Sequence, residues 1–333
     1  MVKIFLTICT LLAISGQAKA AELFGSHEIL KIKLSGPLNS LIRNKEDELQ
    51  YPFVLSVEGQ EISVKLSARG NSRKKLCKFP PIRIEFDTNT SEQSIFNGQD
   101  NLKLVSHCHQ SEKAQANTLK EYAAYQFFSL LSDASFRTRL LKISYQDTDG
   151  KRDTTRYGFV LENTDAIAKR IGGERVSLPA ISLKSLNDRQ EALVYVFQYL
   201  IGNTDWSMVT AENDQSCCHN GKLIKKDQQL LYVPYDFDLS GLVNAKYARP
   251  DASFSINRVT QRLYRGFCLK PEVLKEGLQT VVSHQDDFRA IISGLPGLSE
   301  KDIKKVQRFL DRFFSEASDE DKMLKSFEKR CHE

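Results

Sequence analysis

Ile201-Gly-Asn-Thr-Asp-Trp206 and Tyr235-Asp-Phe-Asp238 are the stretches on which the reading of this chain turns. Each follows an apolar run. In the first, Ala192, Leu193, Val196, Phe197 and Leu200 recur at helical spacing, with Asn187 or Asp188 placed to cap the start. Gly202-Asn203 breaks that helix and delivers Asp205 to a loop anchored by the core. In the second, Leu230-Leu-Tyr-Val233 reads as a buried strand, and Pro234-Tyr235 ends it just before Asp236 and Asp238. Period-two spacing sends the last two carboxylates to one side if the strand continues. Two carboxylates so spaced suit a hard cation such as Mg²⁺, which takes oxygen ligands and often shares them with substrate phosphates. In phosphoryl transfer a separate aspartate orients or deprotonates the acceptor hydroxyl. Asp205 fits that second role and Asp236 the first.

Upstream the patterning changes. Residues 29–34, 51–57, 61–66, 82–86 and 101–105 alternate apolar and polar, which predicts an antiparallel sheet, with a hairpin turn at Val57-Glu58-Gly59-Gln60. Residues 112–131 read as one long helix. Residues 140–145 and 156–161 flank Asp147-Thr-Asp-Gly150, a hairpin turn rather than a calcium loop, because the further ligands and closing glutamate of such a loop are absent. From Asp188 the chain becomes mainly helical, with further helices predicted over 271–282, 285–293 and 300–317. The fold class expected is α+β in two lobes, β-rich with one long helix over 21–161 and mainly helical over 162–333.

At the amino terminus Lys3, the apolar run Ile4 to Ile14 and the small-residue pattern Ala18-Lys19-Ala20 read as a signal peptide cut near Ala20. The protein is therefore expected in the periplasm or outside the cell, with no membrane span after cleavage. Loss of Lys3 and Lys19 lowers the formal net charge from +5 to +3, which gives no argument for a nucleic-acid partner. Cys77, Cys108, Cys217, Cys218, Cys268 and Cys331 then form an even set in an oxidising compartment, so three disulfides are expected. Their pairing stays open, although the adjacent Cys217 and Cys218 are expected to bond elsewhere than to each other. Zinc is the weaker reading of these cysteines, since neither cysteine-histidine cluster has C-x₂-C spacing.

The ordered set Arg69-Gly-Asn-Ser-Arg73, Lys78-Phe-Pro-Pro-Ile-Arg-Ile-Glu-Phe86, Tyr157-Gly-Phe-Val-Leu-Glu162, Gly202-Asn-Thr-Asp205 and Tyr235-Asp-Phe-Asp238 resembles the spore-coat-protein-H (CotH) kinase family. The resemblance spans roughly residues 60–240. It implies an atypical protein-kinase-like fold, ATP with Mg²⁺ or Mn²⁺, and transfer of the γ-phosphate to a serine or threonine hydroxyl of an extracytoplasmic protein. It also implies Asp205 as the catalytic residue and Asp236 as a metal ligand, with Asp238 beside it. Arg69 to Ser72 and Glu162 match the family's Arg-Gly-Asn-Ser stretch and interlobe glutamate.

The chain departs from that pattern where a second metal-ligating asparagine should follow the catalytic aspartate. Asn213 and Asn220 lie farther on, across an insertion carrying Cys217 and Cys218. Asn220 is carried forward as the ligand. Phosphates need a cation, and the lysine-glutamate pair of ordinary kinases suggests Lys103 with Glu121, while Lys78 and Arg83 compete with Lys103. No Gly-x-Gly-x-x-Gly is present, so the amides of Arg69 to Ser72 are the substitute. The run Arg73-Lys74-Lys75 reads as a solvated turn, His107 and His109 as exposed loop residues, and Trp206 as packing for the Asp205 loop. Two other functions share these residues: a kinase-like envelope or extracellular binding protein without turnover, and a metal-dependent phosphohydrolase. Oligomeric state is not legible.

Overall fold

The period-two alternation of the amino-terminal third is realised as strands that turn most of their apolar residues to one side. In β1 (Leu30–Gly36), Leu30, Ile32 and Leu34 are buried while Lys31 and Lys33 are exposed. The computed structural model describes residues 23–87, 91, 94–210 and 216–333. The signal-peptide reading and Asn213 lie outside them.

After β1 come α1 (Leu38–Arg43), β2 (Tyr51–Val57), β3 (Gln60–Ala68), α2 (Ser72–Leu76), β4 (Ile82–Phe86), β5 (Asn101–Val105), α3 (Glu112–Leu131), β6 (Thr138–Asp147) and β7 (Thr154–Leu161). The strands close into a barrel in the order β1-β2-β3-β4-β5-β7-β6. The antiparallel sheet predicted from the sequence is thus corrected in one respect: β1 pairs with β6 in parallel, from Leu30 opposite Leu141 to Gly36 opposite Asp147. Alternation does not distinguish an open sheet from a closed one. Closure pairs the edges an open sheet would leave unpaired, and the interior is filled by residues such as Phe53, Leu55, Leu66, Ile84, Leu104 and Val160.

The outer face of β5, β6 and β7 supplies Val105, Leu140, Phe159 and Leu161 to a second core. There α3 lies between the barrel and the helices that follow, which explains why it is buried on nearly all sides. Those later elements are α4 (Thr164–Ile171), β8 (Glu174–Val176), α5 (Asp188–Ile201), β9 (Gly221–Lys226), β10 (Gln229–Pro234), α6 (Pro271–Ser283), α7 (Gln285–Gly294), α8 (Glu300–Ala317) and α9 (Glu320–Glu328). Strands β8, β9 and β10 form a small antiparallel sheet. The protein is α+β, β-rich in its amino-terminal region and helical in its carboxyl-terminal region.

The turn at 147–150 does more than reverse the chain. The carboxylate of Asp149 accepts from the backbone N–H groups of Asn39 and Ser40, both at 3.0 Å, and so caps α1 from the turn between β6 and β7. Three disulfides are formed, Cys77–Cys108, Cys217–Cys218 and Cys268–Cys331. The expectation that Cys217 and Cys218 bond elsewhere is corrected: the other four cysteines pair among themselves, leaving each of these its neighbour. Among the described residues no helix is long and apolar enough to cross a membrane.

Candidate active site

Helix α5 ends because Gly202 takes the left-handed conformation, φ 63°, which lets the N–H groups of Gly202 and Asn203 reach back to the carbonyls of Tyr199 and Gln198. The loop beyond is tied to itself. Asn203 Oδ1 accepts from the N–H of Asp205 at 3.1 Å, its amide donates to Gln198 at 3.0 Å, and Trp206 Nε1 donates to its carbonyl at 3.1 Å. Trp206 is buried against Tyr195 and packs this loop, as its apolar ring suggests.

Asp205 is then gripped from the far side of the insertion. Its Oδ1 lies 2.8 Å from His219 Nε2, and Asn220 Nδ2 donates to its Oδ2 at 2.8 Å and to its carbonyl at 2.7 Å. Asn220 in turn accepts from the N–H of Tyr235 through its own carbonyl, at 3.1 Å. The asparagine that the sequence displaces by an insertion is thus returned to Asp205 and to the strand end carrying Asp236.

Asp236 adopts φ 63°, and its N–H donates to the Tyr125 hydroxyl on α3 at 2.8 Å. It keeps some surface exposure, but protein surrounds its carboxyl. That burial, with Asp238 next, lifts the carboxyl to about 7 against the pull of Arg73 and Arg69. Asp238 is buried and accepts from the Tyr247 hydroxyl at 2.7 Å, with Arg73 Nε at 3.7 Å.

Arg73 is the residue that sequence reasoning misplaces. Far from a solvated turn, it is buried. It donates to Glu121 at 3.1 Å and to the Ser106 carbonyl at 3.0 Å, while Lys75 beside it is exposed. The expected Lys103–Glu121 pair is therefore corrected to Arg73–Glu121. A planar guanidinium reaches a carboxylate and a carbonyl at once, which an ammonium on β5 does not. Burial pushes the Glu121 carboxyl up and Arg73 pulls it down; burial likewise opposes the Arg73 charge, which Glu121 and the two aspartates outweigh. Because arginine keeps its proton and the contact is short, the pair is ionised.

Lys103 has other company. Across the strands it faces Arg83, and its Nζ stands 5.8 Å from the Tyr235 ring, which Lys222 approaches at 5.1 Å. Burial first, then Arg69, Lys222, Arg83 and Arg175, hold Lys103 down at about 8. These cations gather near Asp236, which Arg69 also attracts. Arg175 and Lys222 come from the small sheet, and only the placement of β8 and β9 reveals them. Glu162 is not part of the gathering: its two oxygens take Arg170 at 3.1 and 2.8 Å, and one also accepts from the Arg137 N–H. Lys78 is exposed beside the Cys77–Cys108 bridge and makes none of these contacts. His107, expected in an exposed loop, is fully buried against Phe79, while His109 is exposed.

Among the described residues no three or more His, Cys, Asp or Glu side chains are grouped to hold a metal alone. The donors nevertheless fit Mg²⁺ or Mn²⁺. Asp236 and Asp238 offer hard carboxylate oxygens whose mutual repulsion a divalent cation would relieve, and such ions commonly use one or two carboxylates plus phosphate.

No protein-family model matches the chain, and no curated protein matches it. Among solved structures it is similar to the Helicobacter pylori proinflammatory kinase CtkA at 10% identity, with a TM-score of 0.37, over 84% of this chain and 91% of that one. Likeness at this level does not bear on the role of any residue.

Proposed function

We propose that this protein is an extracytoplasmic, CotH-like atypical kinase that transfers the γ-phosphate of ATP to a serine or threonine hydroxyl of a protein. The observation that supports it is the convergence of Asp205, Asn220 and Asp236 on one side of a cluster formed by Arg69, Lys103 and Lys222. Acid on one side and base on the other is what a nucleotide phosphate chain and its metal require. Residues 21–161 and 162–333 would be the two lobes about this cleft.

Asp236 and Asp238 would hold Mg²⁺ or Mn²⁺, which when bound neutralises phosphate charge. Lys103, Arg69 and Lys222 would take the phosphate oxygens, with the Tyr235 ring keeping the two lysines apart. Asp205 would orient the acceptor hydroxyl and receive its proton at a carboxylate oxygen; Asn220 and His219 fix the direction in which that carboxylate points. The Arg73–Glu121 pair positions α3 against the loop of Asp238 and touches no substrate.

The test is phosphate transfer from γ-labelled ATP to an added serine-containing protein. Asp205→Ala is expected to lower the rate by about 100-fold or more, and Asp236→Ala to remove Mg²⁺-dependent ATP binding. Transfer undiminished in both variants would sink the proposal. A second reading, a binding protein without turnover, is favoured by one observation: both oxygens of Asp205 already have partners. Tight Mg²⁺-dependent ATP binding with no transfer would favour it, and phosphate release into water without labelled protein would instead mark a phosphohydrolase.

A further inference from the structure

Away from that cleft, α3, the segment after Asp238 and α8 enclose a cavity of about 310 Å³. That is the small end of ligand cavities. Its walls carry Lys113, Lys120, Lys305, Arg308 and Arg312 against a single carboxylate, Asp302. One oxygen of that carboxylate, Asp302 Oδ2, accepts from the Ser299 hydroxyl at 2.6 Å at the start of α8. None of the five cations has an ion pair among the described residues.

Lys120 makes this more than a charged surface. Its side chain is buried, and its ammonium donates to the Val243 carbonyl with N–H groups to spare. Burial, and then Lys113 and Lys305, hold it down at about 8 although Asp302 pulls the other way. A buried ammonium beside like charges is held at a cost unless something negative joins it. On the open side Arg308 and Arg312 have their Nε atoms tied to the carbonyls of Lys304 and Arg308, at 3.2 and 3.3 Å. Their terminal nitrogens remain as forks suited to a tetrahedral oxyanion.

We propose that this cavity is a second anion site, which binds a phosphate dianion, either free or as the phosphate ester of a protein side chain. The site uses none of the residues of the Asp205 cleft, so it stands whether or not that cleft transfers phosphate.

The experiment is calorimetric titration of the disulfide-bonded protein with inorganic phosphate and with a phosphoserine peptide, at constant ionic strength. Both are expected to bind the wild type, and to bind Lys305→Ala/Arg308→Ala about tenfold more weakly, the worth of one charge-assisted contact. The exposed positions of Lys305 and Arg308 keep that variant folded; Lys120→Met is a second variant, read only if its melting curve remains cooperative. Tighter binding of the peptide assigns the ester as the ligand, and equal binding assigns free phosphate. Binding unchanged in the double variant, or absent from the wild type, would overturn the proposal.

Discussion

Glu121 on α3 meets Arg73 on α2 at 3.1 Å, and the same guanidinium lies 3.7 Å from Asp238. One buried cation thus joins the barrel side of the site to the loop following β10. Removing it leaves a carboxylate buried without its counter-ion, so Arg73→Met is expected to destabilise the fold by roughly 3–5 kcal/mol. Replacing both partners, as in Arg73→Met/Glu121→Gln, is expected to recover much of that loss. The urea midpoint measures both; a single variant as stable as the wild type would show that the pair is not what fixes α3.

Lys103 makes a different prediction, because it stands among cations. With its proton leaving at about 8, it attracts phosphate below that pH and ceases to above it. ATP affinity is expected to fall about tenfold between pH 7 and 9. Lys103→Met should bind ATP more weakly with a flatter profile. A wild-type profile as flat as the variant's would remove Lys103 from the phosphates.

The strands and long helices were legible because alternation and helical spacing are local. Leu30, Ile32 and Leu34 announce a buried face, and Gly202 announces a helix end. The aspartates at 205, 236 and 238 were legible for the same reason, each lying where an apolar run stops. The partner of Glu121 was not. Arg73 lies in a run of three cations, and nothing in that run says that the first turns inward while Lys75 stays in solvent. Closure of the barrel through β1 and β6, and the arrival of Arg175 and Lys222 opposite Lys103, likewise depend on tertiary placement. Cys217 and Cys218 show the converse: their bond is local, yet it follows from how four distant cysteines are spent.

The bridges should separate stability from site geometry. Cys268–Cys331 closes a span of 63 residues, and by chain entropy its loss is worth up to about 4 kcal/mol. Cys217–Cys218 spans a single step and restrains the unfolded chain hardly at all. It does, however, immediately precede His219 and Asn220, which hold Asp205. Cys268→Ser/Cys331→Ser is therefore expected to lower the melting temperature. Cys217→Ser/Cys218→Ser should leave it nearly unchanged while lowering phosphate transfer. Equal thermal losses in the two double variants would contradict this division.

His107 gives the fold a sensitivity to acid. Its ring is fully buried, packed 4.2 Å from Phe79 by centroid, and neither ring nitrogen has a hydrogen-bond partner among the described residues. Burial first, then Arg156 and His109, depress it from 6.5 to about 3. A depressed histidine is neutral in the folded protein at pH values where the unfolded chain already binds the proton. Its neutral form is thus fully compatible with folding above pH 6.5, and stability is lost as pH falls from there toward 3. The loss is expected to reach roughly 3 kcal/mol by pH 4.5. His107→Phe keeps an aromatic ring against Phe79 and removes the titration, so its urea midpoint should vary less between pH 7 and 4.5 than that of the wild type. Parallel pH profiles for the two proteins would show that the acid sensitivity lies elsewhere.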